Sequence, residues 1–215
     1  MYIYGHTMVS FPYSTIDLTS EEIEKILSIF KTLQDKLNIS FKTDFVFSFE
    51  NFGLFENYLN HSIGPVIEIH NNENSFYITF TQVFYKMNTA SRLPVSTTGE
   101  YQTWCVLPLK RNYGHVLIKT ETILDKILEI VHPIEIDFKD DLEFSKKFYV
   151  VATDELLARS LLSSQFRKSL NTLAEKDLWV EIRGNNLIVG NKKRIETSTA
   201  LEMAGFIYKI SGFID

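Results

Sequence analysis

Residues 138–190 read almost without interruption as helix, strand, helix and hairpin, and this run constrains the fold more than any other. A short acidic turn, Asp140-Asp141-Leu142-Glu143-Phe144, leads into the apolar run Phe148-Tyr149-Val150-Val151-Ala152. Thr153-Asp154 opens a helix that the periodicity carries to about Leu173. Its apolar arc runs through Ala158, Leu161, Leu162, Phe166, Leu170 and Leu173. Acidic residues in its first turn (Asp154, Glu155) and Arg167-Lys168 later match the helix dipole. Trp179-Val180-Glu181-Ile182 and Leu187-Ile188-Val189 then flank the turn Gly184-Asn185-Asn186.

The N-terminal half is patterned by the same two periods. Thr19 with Glu22 three residues on forms a capping box ahead of a helix over about 20–38, with Ile23, Ile26, Leu27, Phe30, Leu33 and Leu37 on one stripe. Phe41, Phe45, Phe47 and Phe49 share one parity, which predicts a strand over 40–50. Residues 51–61 fit a short helix or a loop. Strands over 66–70 and 76–84 are joined by Asn71-Asn72-Glu73-Asn74, residues that tolerate turn geometry. Strands also fit 102–109 and 115–119, a helix 122–131, and a strand Ile134 to Phe138 with one wet face; Pro133 ends that helix near His132. Thr199 and Glu202 suggest a second capping box before a closing helix that carries Leu201, Ala204, Ile207 and Ile210.

The chain has 215 residues, enough to bury a sizeable core as one large domain or two small ones. Its net charge of -5 argues against a phosphate-dominated nucleic-acid binder, and Lys192-Lys193-Arg194, the densest basic run, reads as a solvated rim. A single cysteine, Cys105, excludes an intrachain disulfide and a cysteine-based zinc cluster; within Thr103-Trp104-Cys105-Val106-Leu107 it reads as buried and inert. Residues 1–6 carry no charged region followed by an apolar one, and no apolar run approaches the roughly 20 residues that span a bilayer. A soluble, cytoplasmic protein without a membrane segment is expected.

The C-terminal half resembles a known family. Trp104-Cys105-Val106-Leu107-Pro108, the strand from Gly114 to Lys119, Leu142-Glu143-Phe144, and Phe148 with Val150, Ala152 and Asp154 carry the resemblance, as do Ala158-Arg159 and Leu161-Leu162 ahead of Phe166. The pattern, over roughly residues 100–190, is similar to an uncharacterised bacterial domain-of-unknown-function family often found behind membrane helices. The resemblance implies no catalytic residue, and this chain departs from the family in having no membrane segment.

Candidate chemistry is sparse. His6, His61, His70, His115 and His132 fall at no metal-ligand spacing. Asp137, Asp140, Asp141 and Glu143 supply oxygen ligands of the kind Mg²⁺ or Ca²⁺ takes, but without calcium-loop spacing, and helix capping by Asp140 explains part of the cluster. There is no Gly-rich phosphate loop before a helix and no Gly-x-Ser-x-Gly elbow. Arg159 at the edge of an apolar arc reads as covering that surface with its stem rather than binding an anion. Trp104, Tyr101 and Tyr113 read as packing residues rather than a stacking platform. No catalytic, cofactor-binding or metal residue is therefore assigned, and no cofactor is expected.

Residues 86–103 form a long polar stretch, and loops of that length are either functional or mobile. Arg92 within it is the one candidate contact for a ligand or partner. The expected fold is α+β, mostly antiparallel hairpins covered by about three substantial helices. It is organised as an N-terminal α+β lobe (1–90) and a C-terminal α+β lobe (100–215), or as one continuous domain. A non-enzymatic binding or protein-interaction protein, with a protein or small molecule as partner, is favoured. The alternative is a hydrolase-type enzyme whose site is assembled from distant acidic and histidine residues.

Overall fold

In the computed structural model, which describes residues 2–4, 7–9, 11–14, 16–71, 74–86, 97–120, 133–174 and 177–214, nine strands form one sheet. They are β3 (Asn38–Phe41), β4 (Asn60–Asn71), β5 (Asn74–Lys86), β6 (Thr97–Pro108), β7 (His115–Thr120), β8 (Ile134–Glu135), β9 (Phe148–Ala152), β10 (Trp179–Arg183) and β11 (Asn186–Arg194). Their order across the sheet is β3-β4-β5-β6-β11-β10-β7-β9-β8, and every neighbouring pair is antiparallel. Two three-residue strands, β1 (Tyr2–Tyr4) and β2 (Thr7–Val9), make a separate hairpin.

Five helices complete the described chain: α1 (Ser20–Gln34), α2 (Leu142–Lys147), α3 (Glu155–Leu161), α4 (Ser164–Asn171) and α5 (Thr197–Ser211). They share one face of the sheet. There α1 and α5 pack on each other, α5 lies over β5 and β6, and α4 packs on α5. Side chains of one parity from the strands, such as Ile78, Cys105, Val180 and Val189, meet Ile26, Ile29, Phe166 and Ile207 in one continuous core. This burial of helix stripes against a sheet face is the main stabilising term.

The opposite face has no described helix. Residues 42–59, with 3-10 turns at Phe49–Asn51 and Gly53–Phe55, cross it as a cover. Phe49, Phe52, Leu54 and Phe55 from the cover pack with Trp104, Val106, Leu117 and Ile188 of the sheet. Gly190 permits this layer, because a Cβ there would stand 2.3 Å from the Trp104 ring. Phe55 in turn lies on Trp104, with ring centroids 4.8 Å apart.

The α+β expectation of hairpins under about three substantial helices is corrected by this arrangement. Strand residues outnumber helical ones, the strands form a single nine-stranded sheet, and four described helices have seven or more residues. The strands are longer than their apolar cores announce: β4, β5 and β6 run to 12, 13 and 12 residues. Polar residues are held inside them because the sheet satisfies them: buried Thr79 donates to the Trp104 carbonyl at 3.2 Å, and buried Gln102 accepts from Tyr58 at 2.9 Å.

Three local expectations also change. The strand over 40–50 stops at Phe41, because its four phenylalanines serve two cores: Phe41 stacks on Phe30 of α1 at 4.2 Å, while Phe45, Phe47 and Phe49 join the opposite face. The helix from Asp154 breaks into α3 and α4 at Leu162-Ser163. Ser163 caps α4 by accepting from the Phe166 N–H, and Arg167 Nη1 donates to the Leu162 carbonyl at 2.8 Å. The closing helix begins at Thr197, two residues before the expected cap, with Glu196 as N-cap. In contrast, the Thr19–Glu22 capping box is present as expected, and so is the β10–β11 hairpin, turning through Gly184 at φ +64°. The helix expected over 122–131 lies outside the described residues.

Candidate functional site

Two concavities of the described surface, one on each face, are candidates for a site. Between α1 and α5 runs an apolar groove of about 260 Å³, lined by Thr32, Leu33, Lys36, Leu37, Leu201, Gly205 and Tyr208. Both helices bury one stripe in the core, and the groove lies where their outward flanks fail to mesh. The space over Gly205 is open: a Cβ built there meets no atom within 4 Å. Tyr208 remains 40% exposed, and the Thr32 hydroxyl is already committed to the Ser28 carbonyl at 2.8 Å. The groove lining is therefore mostly hydrocarbon, with Lys36 and Tyr208 as its other polar residues.

On the other face, a shallower cleft of about 560 Å³ is lined by Val46, Phe47, Ser48, Asn51, Phe52, Arg183, Gly184 and Asn186. Beside it, Glu181 on β10 is fully buried. Its two oxygens accept from the N–H groups of Gly53 and Leu54, each at 3.0 Å, and His115 Nε2 stands 2.7 Å from Oε1. Arg183, two residues along the same strand and directly across from His115, donates to the Asn51 carbonyl. A buried carboxylate is costly unless each oxygen is paired, and here β7 and the cover supply the partners. The arrangement latches the cover onto the sheet. It uses three of the carboxylate's acceptor directions, leaving the imidazole edge of His115 partly exposed.

The residues singled out from sequence are distributed rather than convergent. Arg92, His6 and His132 lie outside the described residues. His61 stands 3.6 Å from Glu50 and packs against Phe55, whereas His70 meets Ser40 and Ser75 at the far edge of the sheet. Among the described residues no group of three or more His, Cys, Asp or Glu side chains could hold a metal ion. Asp140 and Asp141 instead bind Arg167, at 2.6 and 3.0 Å, and it is Asp141 rather than Asp140 that caps α2. Burial opposes ionisation of Asp141, but the Arg167 guanidinium and the Phe144 N–H outweigh it and hold the carboxyl below its ordinary range. Arg159 bonds Glu155 and the Asp137 carbonyl, and it shares the Phe138 ring with Arg167.

Cys105 is fully buried in β6, and burial pushes its thiol up, away from the reactive thiolate. Trp104, Tyr101 and Tyr113 are all buried. Sequence reasoning missed Glu181 and Gly205. Each left a faint signal: an acid inside an apolar strand, and a glycine inside a helix.

No family model matches the chain, and no curated protein sequence matches it. Among solved structures, the crystal structure of the mycobacterial trehalose monomycolate transport factor A, TtfA, is similar, with a TM-score of 0.60 at 10% identity. The likeness covers 90% of this chain and 94% of that one, so the two share the fold over nearly their whole lengths. No helix of the described residues is long and apolar enough to cross a membrane.

Proposed function

We propose that this chain is a non-enzymatic binding protein that holds an apolar group, from a small molecule or a protein partner, in the groove between α1 and α5. The observation that carries this reading is the open space over Gly205 between two helices that are otherwise closely packed. Glycine in a helix interior costs roughly 1 kcal/mol relative to alanine, and here it keeps an apolar depression open. The fold offers a precedent in a protein named as a transport factor. A soluble, cytoplasmic setting belongs to the same proposal; a net charge of -5 and a single buried cysteine fit it.

The test uses a neutral apolar fluorophore, N-phenyl-1-naphthylamine. Its emission should rise on native protein, and Gly205→Leu should remove the rise while leaving the melting temperature equal or higher. Undiminished emission in that variant would remove the groove from consideration.

A second reading keeps the hydrolase alternative, because Glu181 and His115 are a buried acid–histidine pair assembled from residues 66 apart. It requires His115 as a base with its free edge turned to a substrate. A panel of ester and phosphoester substrates, with His115→Ala as control, tests it. Turnover that disappears in the variant supports the enzyme, and turnover unaffected by it ends this reading.

A further inference from the structure

We infer that the groove between α1 and α5 takes a single-chain anionic amphiphile, with its hydrocarbon chain along Leu33, Leu37, Leu201 and Gly205 and its anionic head at Lys36. This names a ligand class for the binding role proposed above and rests on it. Size comes first. At about 260 Å³ the groove lies just under the range of roughly 300–1,000 Å³ usual for drug-sized ligands, so it suits one extended chain rather than a multi-ring body.

Charge comes second. Lys36 lines the groove just past the C-terminal end of α1 and pairs with no carboxylate among the described residues, whereas Lys25 within α1 is held by Glu21 and Glu196. No acid is among the residues that line the groove: Asp35 is the C-cap of α1, and Glu202 accepts from the Ala174 N–H at 3.2 Å. A chain of net charge -5 thus has a lysine and no acid among the residues lining this apolar groove, which complements an anionic head on an apolar tail.

The experiment is calorimetric titration of the full chain with dodecanoate, dodecylammonium and butanoate, each below its micellar concentration, alongside the neutral fluorophore. Dodecanoate should bind, displace the fluorophore, and bind more tightly than dodecylammonium; butanoate should give no heat. Lys36→Met should weaken dodecanoate about threefold to fivefold, the scale of one exposed ion pair, without changing the neutral fluorophore's affinity. Gly205→Leu should abolish both. If the fluorophore binds but dodecanoate binds no better than dodecylammonium, the anionic head is wrong and the binding role stands. If neither chain nor fluorophore binds, both readings fall. If dodecanoate binds and Gly205→Leu leaves it unchanged, the groove is the wrong place.

Discussion

The two faces of the sheet are closed by different physics. On one, amphipathic helices lay regular apolar stripes onto alternate strand residues, and the stabilisation is spread over dozens of nonpolar contacts. On the other, residues 42–59 have only two 3-10 turns, and polar bonds from Glu181 and Arg183 supplement an aromatic layer. A helix satisfies its own backbone and needs only nonpolar partners, whereas an irregular cover brings unsatisfied N–H groups that the sheet must meet. A carboxylate buried in the middle of an apolar strand is what that requirement looks like.

The largest effect should come from breaking the helical face. Leu162 is fully buried at the junction of α3 and α4, and Leu162→Ala should destabilise the fold by about 2–5 kcal/mol. Chemical denaturation measures this. A midpoint unchanged from wild type would mean that the helices contribute little there.

The cover should respond more locally. Glu181→Gln keeps the shape but turns one acceptor into a donor, leaving an N–H of Gly53 or Leu54 without a partner. A cost of about 1–3 kcal/mol is expected for that group. Hydrogen exchange should accelerate across 49–55 before it does in α1 or α5. Uniform acceleration across the molecule would show that the cover is no separate unit.

The smallest effect is electrostatic and lies at the periphery of the helical face. Asp141 is held below its unfolded value of about 3.9, so its contribution is complete above that pH and is lost as the pH falls through its folded value. Wild type should therefore lose stability below about pH 4 more steeply than Asp141→Asn, which has no such carboxylate to protonate. Parallel acid profiles would remove the Arg167 pair from the stability balance.

The same contrast explains what could be read in the sequence. The stripe of α1, its Thr19–Glu22 box and the β10–β11 hairpin are local patterns, and they appear where periodicity puts them. Phe41, Phe45, Phe47 and Phe49 have the parity of a strand, yet they divide between two cores, because aromatic burial overrides a short β pattern. The break at Ser163 follows from a serine that caps the next helix instead of continuing the last. The pairing of Glu181 with His115 and with the cover joins three distant segments, and no local period reports it. The groove is invisible for a similar reason, since it is defined by where two helices fail to touch; only Gly205 hints at it.

Titration of isotope-labelled protein with dodecanoate, followed by amide ¹H–¹⁵N spectra, sets the two faces against each other in one measurement. Saturable shifts centred on Leu33, Leu37, Leu201 and Gly205, with Ser48, Asn51, Phe52 and Gly184 unmoved, are the expected result. Shifts centred on the polar cleft beside Arg183, with the α1–α5 groove silent, would contradict it and move binding to the covered face.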